Sequence, residues 1–345
     1  MGDVDYVLGN QEKSRLFALV ENFDRPAQTQ VDVSCIDDRA SFDAAHLSSD
    51  RTRAYLKIQD GCDYSCAFCT IPLARGKSRS AAAVDVLAQA RELAARGTRE
   101  IVLTGVNIGL YGAGTLDSDT AASLRRLLKA LSDVEGIARY RISSIEPNLL
   151  TQQIIDFVAD APNFVPHFHI PLQSGDDAVL GAMRRRYRRK VYAERVAWII
   201  ERMPDACIGA DIIVGYPAET AERFRNTCQF LSDLPIAYLH VFTYSERPDT
   251  VATRTPEKVG GTPVPLEDRR ERNRILQHLS ERKRHDFTDR HRGSVRPVLW
   301  ERAVRGTRMR GFTDNYIRVA RPHDPSRAGQ IERVELGSAY AQISS

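Results

Sequence analysis

Long apolar runs are missing from this sequence. No stretch approaches the about 20 consecutive apolar residues of a membrane-spanning helix, which excludes an integral helical membrane protein. The first residues, MGDVDYVLGNQEK, contain acids and lack the apolar segment of a secretory signal peptide. Cysteine is sparse, with six in 345 residues, which excludes a disulfide-stabilised secreted domain. We therefore expect a protein of the reducing cytoplasm that does not engage a membrane.

Neither sign of charge dominates. Lys and Arg (49) nearly balance Asp and Glu (45), and the formal net charge is +4 at pH 7. The total charge therefore does not identify a class of partner, and the local distribution of charge has to do so. Hydrophobic residues make up 42% of the chain, which excludes a disordered protein and leaves a globular one with two or three domains.

Six apolar segments alternate with segments of helical periodicity between residues 51 and 250. The predicted strands are 54–58, 101–104, 140–143, 167–170, 208–214 and 238–242. Strands that alternate with helices pair in parallel through right-handed crossovers. Because six units are fewer than the eight of a closed barrel, we expect an α/β core that forms an open (β/α)6 partial TIM barrel.

The two ends of the chain differ from this core. Residues 1–50 are polar, and we interpret them mainly as a linker because so few apolar residues cannot form a core of their own. Residues 251–292 are dominated by charge and predict a charged helical connector. Residues 293–345 alternate short apolar strands with turn residues, which predicts a small C-terminal β-barrel.

Three of the six cysteines, Cys62, Cys66 and Cys69, follow the first predicted core strand in a C-x3-C-x2-C pattern. A structural zinc site uses four ligands, whereas a [4Fe–4S] cluster held by three thiolates leaves one iron open for another ligand. The pattern and its position favour the iron–sulfur cluster. The alternatives are a zinc loop completed by Cys35 or His46, and three ordinary thiols.

This triplet resembles that of the radical S-adenosylmethionine (radical SAM) enzymes. The resemblance implies that the open iron binds the amino and carboxylate groups of SAM and that one electron from the cluster cleaves SAM to a 5′-deoxyadenosyl radical. It also implies that Phe68, which precedes the last cysteine, packs against the adenine of SAM. The alternative for Phe68 is a role in the local hydrophobic core.

Five further segments resemble the methylthiotransferase branch of that family. They read TIPLARGKSRS at 70–80, LTGVNIGLYG at 103–112, RISSIEP at 141–147, HIPLQSGD at 169–176 and DIIVGYPAET at 211–220. The likeness runs from about residue 4 to about residue 319. It implies that residues 1–50 include a remnant of the family's N-terminal domain and that residues 293–345 form a barrel similar to its RNA-binding TRAM domain.

Two segments, GNQEK at 9–13 and VNIGLYG at 106–112, are most similar to the enzymes that act on N6-threonylcarbamoyladenosine. The resemblance implies methylthiolation of C2 of this base at position 37 of tRNA, where an unactivated C–H bond requires radical chemistry. Two other functions stay open: methylthiolation of a ribosomal-protein side chain, and a truncated iron–sulfur RNA-binding protein that does not complete sulfur transfer.

Polar and small residues follow the predicted strands, where β/α folds build their sites. The candidates for binding SAM are Phe68, Thr104, Gly105, Asn107, Ser143, Glu146, Gln173, Ser174 and Gly215. Glycine at 105 leaves the backbone free to hydrogen-bond a ligand, and Gln173 and Ser174 are expected at the mouth of the site. The alternative for each is ordinary turn chemistry. The sequence identifies no catalytic acid, base or nucleophile.

Clusters of basic residues predict an RNA partner, here tRNA. Residues 184–190 contain six cations, and several arginines occur in the predicted barrel beside two aromatic residues. The candidate RNA-binding residues are Arg75, Lys77, Arg185, Arg188, Arg310, Phe312 and Tyr316. Arg75 and Lys77 could instead meet the SAM carboxylate. The alternative for the whole set is a solvated basic face and aromatic residues of the barrel core.

The resemblance also implies an N-terminal domain with three more cysteines for a second [4Fe–4S] cluster. Only Cys35 precedes the triplet here. We therefore expect one cluster and SAM cleavage from this chain, without the family's second cluster. We also expect a monomer that receives electrons from a donor such as flavodoxin or ferredoxin.

Overall fold

The computed structural model describes residues 4–19, 26–36, 42, 46–47, 52–113, 119–261, 263–305, 307–338 and 342–343. The strands are Tyr6–Leu8 (β1), Gln30–Asp32 (β2), His46–Leu47 (β3), Arg53–Lys57 (β4), Gln59–Asp60 (β5), Arg79–Ser80 (β6), Glu100–Thr104 (β7), Arg139–Ile142 (β8), His167–His169 (β9), Cys207–Val214 (β10), Tyr238–Thr243 (β11), Val295–Arg305 (β12), Arg308–Thr313 (β13), Arg318–Pro322 (β14), Ile331–Glu335 (β15) and Gln342–Ile343 (β16).

The α-helices are Leu16–Leu19 (α1), Ile71–Arg75 (α2), Ala83–Ala95 (α3), Thr120–Ser132 (α4), Gln152–Asp160 (α5), Asp177–Ala182 (α6), Arg189–Arg202 (α7), Ala221–Asp233 (α8), Val251–Arg254 (α9) and Leu266–Arg290 (α10). Local sequence explains where several of them begin. The Asp119 side chain accepts a hydrogen bond from the Ala122 amide at the start of α4, and Thr220 does the same for Arg223 at the start of α8.

Six parallel strands form the core in the order of the sequence. β4, β7 and β8 pair in parallel, as do β9, β10 and β11. Isolated parallel bridges from Tyr140 to Phe164 and from Ser144 to His169 join the two groups. The predicted α/β fold with an open (β/α)6 sheet is confirmed. Buried apolar side chains such as Leu56, Ile101 and Ile212 form its hydrophobic core.

Both edges of this sheet are covered. The short strand β3 pairs antiparallel with β4, although the sequence predicted a linker there. Its two residues are too few to give an alternating hydrophobic pattern. At the other edge, the Ser280 hydroxyl on α10 contacts both the amide and the carbonyl of Leu239 in β11, at 2.8 and 3.0 Å. The Asn273 side chain donates to the Val241 carbonyl at 3.2 Å. The predicted charged connector thus satisfies backbone groups of an edge strand.

The C-terminal strands form a curled antiparallel sheet in the order β15-β12-β13-β14-β16. Its buried side chains, Val298, Trp300, Met309 and Val319 among them, form a second core. We refer to β12–β16 as the C-terminal sheet. None of the helices in the described residues is long and apolar enough to cross a membrane.

The C-terminal sheet packs against the amino-terminal ends of the parallel strands. Arg139, the first residue of β8, donates hydrogen bonds to the Pro297 and Phe312 carbonyls at 2.6 and 3.3 Å. The fully buried carboxylate of Glu100, the first residue of β7, lies 3.6 Å from Arg139 and 3.1 Å from Arg141. The C-terminal sheet therefore lies at the opposite end of the core from the loops that follow the strands.

Candidate functional site

The three cysteines lie in the loop between β5 and α2, at the carboxyl end of the first core strand. The amide of Cys62 donates to the Gly76 carbonyl and that of Cys69 to the Cys66 carbonyl, both at 3.1 Å. Gly61 begins the loop with a positive φ of 71°, and a Cβ atom there would lie 2.0 Å from the Lys77 carbonyl oxygen. Only glycine therefore allows the two ends of the loop to approach so closely.

Asp60 anchors this loop. Its buried carboxylate accepts a hydrogen bond from the Gly61 amide at 2.9 Å and lies 3.1 Å from Arg75 and 3.0 Å from Arg79. Burial disfavours the ionised carboxylate, but the Gly61 amide and the cations, Lys57 included, outweigh it and lower the pKa of Asp60. The Arg75 guanidinium, which was predicted to bind RNA or SAM, thus forms an ion pair with Asp60.

Each cysteine sulfur receives an N–H donor. Cys66 is buried, and its sulfur accepts a hydrogen bond from the Arg185 guanidinium at 3.0 Å. The Cys62 sulfur lies 3.4 Å from the Tyr64 amide and 3.9 Å from the Asn107 side-chain nitrogen, and the Cys69 sulfur lies 3.4 Å from the Ile71 amide. Burial raises the pKa of all three thiols, and these donors oppose that effect by stabilising the thiolates.

Arg185 was predicted to bind RNA, and the structure corrects this prediction. Its side chain is only 3% exposed and forms an ion pair with Glu146. The same guanidinium donates to the Tyr187 hydroxyl at 3.0 Å. A buried cation with these partners does not reach an RNA phosphate. It occurs within a run of exposed arginines, and the sequence does not distinguish the buried member from its neighbours.

The three sulfurs do not form the close set that one metal ion would hold. Three sulfurs bound to one zinc ion at 2.3 Å would lie about 3.8 Å apart. Within the described residues, a set of three possible ligand atoms that all lie within 4.8 Å of one another occurs at His169, Asp211 and His240, and not at the cysteines. The exposed Cys35 is not part of such a set, and the side chain of His46 lies outside the described residues. Three thiolates in one loop are the donor set that an iron–sulfur cluster takes.

The candidate SAM-binding residues at the strand ends share one edge of the sheet. Thr104 is the last residue of β7, Ser143 follows β8, and Gly215 follows β10. Two of the candidates have a left-handed backbone conformation: φ is 70° at Gln173 and 82° at Gly215. A Cβ atom at Gly215 would lie 2.3 Å from the Arg269 side chain, which explains why glycine is needed there.

Gly105 and Asn107 both lie against Gln59, a residue that is not among the candidates predicted from the sequence. The Gln59 side-chain oxygen accepts a hydrogen bond from the Asn107 amide at 2.8 Å, and its nitrogen donates to the Gly61 carbonyl at 2.8 Å. A Cβ atom at Gly105 would lie 2.9 Å from the same oxygen. Gln59 thus connects the cysteine loop to the loop after β7. The only signal in the sequence was its position just before Asp60 and Gly61.

Two other candidates, Phe68 and Ser174, differ from each other in how deeply they are buried. The half-buried ring of Phe68 packs edge-on against Tyr216, with the ring centroids 6.4 Å apart. Ser174, expected at the mouth of the site, is instead fully buried, and its hydroxyl lies 3.3 Å from the Thr227 hydroxyl. The prediction that Ser174 contacts a ligand is therefore corrected: its hydroxyl is enclosed against α8.

The remaining RNA candidates fall into two groups. Lys77 and Arg188 are exposed at the end of the molecule that carries the cysteine loop. The rings of Phe312 and Tyr316 stack 4.8 Å apart at the opposite end, where Tyr316 also lies 4.4 Å from the His167 ring. Phe312 is buried, so it packs between the C-terminal sheet and the core and is not free to stack on a base. Arg310 is half-buried.

Comparison with known proteins shows which family has this sequence. The family model of the radical SAM superfamily matches residues 56–231, just over half of the chain. The threonylcarbamoyladenosine tRNA methylthiotransferase MtaB of Aquifex aeolicus is 36% identical over 335 residues, which cover 96% of this chain and 78% of that protein. The chain belongs to the radical SAM methylthiotransferases.

Other members of the radical SAM methylthiotransferases match over a similar length. MtaB of Bacillus subtilis is 35% identical over 340 residues, which cover 96% of this chain and 73% of that protein. The tRNA-2-methylthio-N(6)-dimethylallyladenosine synthase of Methylobacillus flagellatus is 34% identical over 343 residues, which cover 98% and 76%. Membership of the radical SAM superfamily implies SAM and a [4Fe–4S] cluster, and the three thiols of the cysteine loop fit such a cluster by their chemistry.

Proposed function

We propose that this radical SAM methylthiotransferase adds a methylthio group to C2 of N6-threonylcarbamoyladenosine at position 37 of tRNA. The observation that carries the proposal is the loop of Cys62, Cys66 and Cys69 at the carboxyl edge of a six-stranded parallel sheet, in a chain of this family. The relatives named for threonylcarbamoyladenosine, at 36% and 35% identity, support this base as the substrate.

In this proposal Cys62, Cys66 and Cys69 hold one [4Fe–4S] cluster, which when bound supplies the electron that cleaves SAM. Arg185 acts as a positioning residue: its cation lowers the cost of a thiolate at the buried Cys66. Asp60 keeps the loop closed through Arg75 and Arg79. The proposal includes one cluster, because the described cysteines that group together are those of this loop. The sulfur atom comes from a separate sulfide-level donor and the methyl group from a second SAM, which leaves as S-adenosylhomocysteine. The 5′-deoxyadenosyl radical removes the C2 hydrogen atom, and the electron released when the C–S bond forms offsets the one used to cleave the first SAM.

The loops after the strands bind SAM beside the cluster. The backbone at Thr104 and Gly105 and the side chains of Ser143 and Gln173 provide hydrogen-bonding groups on one edge of the sheet. The Phe68 ring, supported edge-on by Tyr216, provides an apolar wall for the adenine. Glu146 acts through its ion pair with Arg185. These residues bind and orient SAM, and none of them has to accept a proton.

The RNA approaches from the end that carries the cysteine loop. Lys77 and Arg188 are exposed there and supply cations for phosphate groups. The exposed Arg186 donates to the Asp63 carbonyl at 3.0 Å and lies 4.1 Å from the centre of the Tyr64 ring, so the basic run follows the rim of the loop. A small flavodoxin or ferredoxin is the proposed electron donor.

The decisive experiment compares modified nucleosides in tRNA from a strain that lacks the gene. Mass spectrometry should show N6-threonylcarbamoyladenosine without its 2-methylthio form. The wild-type chain and Cys228→Ala should restore that form, because Cys228 lies outside the loop, whereas Cys66→Ala should not. An unchanged nucleoside profile in the deletion strain would overturn the proposed function. If the deletion strain instead lost 2-methylthio-dimethylallyladenosine, that base and not N6-threonylcarbamoyladenosine would be the substrate.

A separate assay tests the cofactors. Anaerobically reconstituted protein, reduced with dithionite, should convert SAM to 5′-deoxyadenosine and methionine. The Cys62→Ala, Cys66→Ala and Cys69→Ala variants should each lose this activity together with the iron-to-thiolate absorption of the cluster. A variant that keeps both the absorption and SAM cleavage would remove its cysteine from the set of ligands.

A further inference from the structure

Three residues with possible metal-ligand atoms lie close together on neighbouring strands of the parallel sheet, and none of them belongs to the cysteine loop. His169 lies on β9, Asp211 on β10 and His240 on β11, so each comes from a different, neighbouring strand. Asp211 is directly opposite His240 in the register of β10 and β11. The Oδ1 atom of Asp211 lies 2.9 Å from His169 Nε2 and 3.3 Å from His240 Nδ1, and the three atoms lie within 4.8 Å of one another.

The contacts in this set pair one carboxylate oxygen with two imidazoles. His169 Nε2 and Asp211 Oδ1 are both shielded from solvent, and their contact at 2.9 Å lacks the alignment of a hydrogen bond. A buried nitrogen and a buried carboxylate oxygen in such a contact are only partly compensated for the loss of water. A cation bound by both atoms and by His240 compensates them more fully.

The distances match those between ligands of one metal ion. Metal–nitrogen and metal–oxygen bonds to first-row divalent ions are about 2.1 Å long. Separations of 2.9 and 3.3 Å between ligand atoms then correspond to angles at the metal of about 90° and about 105°. Both angles, each between Asp211 and one histidine, suit tetrahedral or octahedral coordination.

The surroundings are also those of a metal site. The Ser144 hydroxyl lies 2.7 Å from His169 Nδ1, so it fixes the ring with Nε2 directed toward Asp211. His240 is half-exposed and lines a cavity of about 730 Å³ between β11, α10 and the C-terminal sheet, next to Tyr238. This cavity gives an ion a route from solvent and leaves room for water or another ligand beside it.

We propose that His169, Asp211 and His240 bind one divalent transition-metal ion, as a second metal centre that is distinct from the cysteine loop. Two imidazoles and one carboxylate are the ligands of zinc and of non-haem iron(II), and they leave further coordination positions open. None of its three ligands belongs to the set that is proposed to hold the cluster or SAM.

The test is metal binding by the full-length chain. Cobalt(II) and zinc(II) are titrated into a Cys62→Ser, Cys66→Ser, Cys69→Ser background, in which the cluster thiols do not compete. We expect one equivalent to bind with micromolar or tighter affinity and with nitrogen and oxygen ligands by X-ray absorption. His169→Gln, Asp211→Asn and His240→Gln should each weaken binding by at least about tenfold, and Ser144→Ala by about tenfold.

His278→Gln is the matched control, because His278 is exposed on α10 and lies 3.6 Å from Glu281 rather than near the centre. It should bind cobalt like its parent. The titration is repeated on the cluster-loaded native chain, where cobalt bound per chain should again equal one, so that the result does not depend on the folding of a variant. Absence of saturable binding in both proteins, sulfur ligation, or unchanged affinity in Asp211→Asn would overturn the proposal.

Discussion

The Arg185 guanidinium lies between the Cys66 sulfur and Glu146. It donates to the sulfur at 3.0 Å and pairs with the carboxylate that follows β8, so it joins the cysteine loop to a strand end in another part of the sheet. The relationship explains why an arginine is buried in a protein interior: both of its acidic partners are buried or half-buried with it.

Replacing Arg185 should therefore destabilise the chain. In Arg185→Gln the Glu146 carboxylate loses its ion pair in a partly buried site, and we expect the free energy of unfolding in urea to fall by about 3 kcal/mol. Lys190→Gln removes a cation from the same basic run, but Lys190 is highly exposed, and unfolding should be unchanged. Equal effects of the two substitutions would contradict the role of Arg185.

Thiol reactivity of the cluster-free chain should depend steeply on pH. Burial raises the pKa of Cys62, Cys66 and Cys69 above the usual 9.0, and the thiolate is the reactive form. Alkylation by iodoacetamide, followed at each cysteine by mass spectrometry, should accelerate as pH rises beyond 9. Arg185→Gln should move the midpoint for Cys66 to still higher pH, because the Arg185 cation lowers the pKa of that thiol. A midpoint below pH 9 would argue against the buried environment.

Asp60 should make stability sensitive to acid. Its pKa is lowered in the folded chain, so its ion pairs contribute fully above the unfolded pKa of about 3.9 and are lost as pH falls through the folded value. Asp60→Asn should cost about 3 kcal/mol at pH 7 and flatten the decline in unfolding free energy below pH 4. Urea titrations from pH 7 down to pH 3 measure both effects, and a variant with the same slope as wild type would remove Asp60 as the cause.

A comparison of alanine substitutions at two glycines should distinguish the cost of a left-handed backbone from the cost of a steric clash. Gly61 and Gly97 have similar φ values of 71° and 79°, but a Cβ atom would lie 2.0 Å from the Lys77 carbonyl at Gly61 and would meet nothing within 4 Å at Gly97. Gly97→Ala should cost about 1 kcal/mol from the left-handed backbone alone. Gly61→Ala should cost several times more and prevent cluster loading. Similar melting temperatures for the two variants would contradict the close approach at Gly61.

Glu100 should control how the C-terminal sheet docks. Its carboxylate is fully buried beside Arg139 and Arg141, and Arg139 in turn donates to backbone carbonyls of the C-terminal sheet. Glu100→Gln removes the buried counter-charge that these arginines share, so we expect the free energy of unfolding to fall by about 3 kcal/mol. It should also speed proteolytic cleavage near the α10–β12 junction. Glu92→Gln, on the exposed surface of α3, is the control, and its cleavage pattern should match wild type.

Local sequence determined much of this protein. Alternation of apolar strands and helices predicted the parallel order of the core, since chain direction and short connections leave few other arrangements. The cysteine spacing placed three thiols in one loop, because residues three and four apart cannot separate far. The C-terminal strands were predicted from their turn residues and their alternating pattern.

Only the tertiary structure decided which polar residues share a site. Arg185 looked like its exposed neighbours, and it became a partner of Cys66 because the chain after α6 returns to the cysteine loop over 119 residues of separation. His169, Asp211 and His240 lie together because parallel strands bring together residues that the sequence keeps 29 to 71 positions apart. Such contacts depend on the register of the strands and on the packing of whole elements, and spacing along the chain carries no record of them.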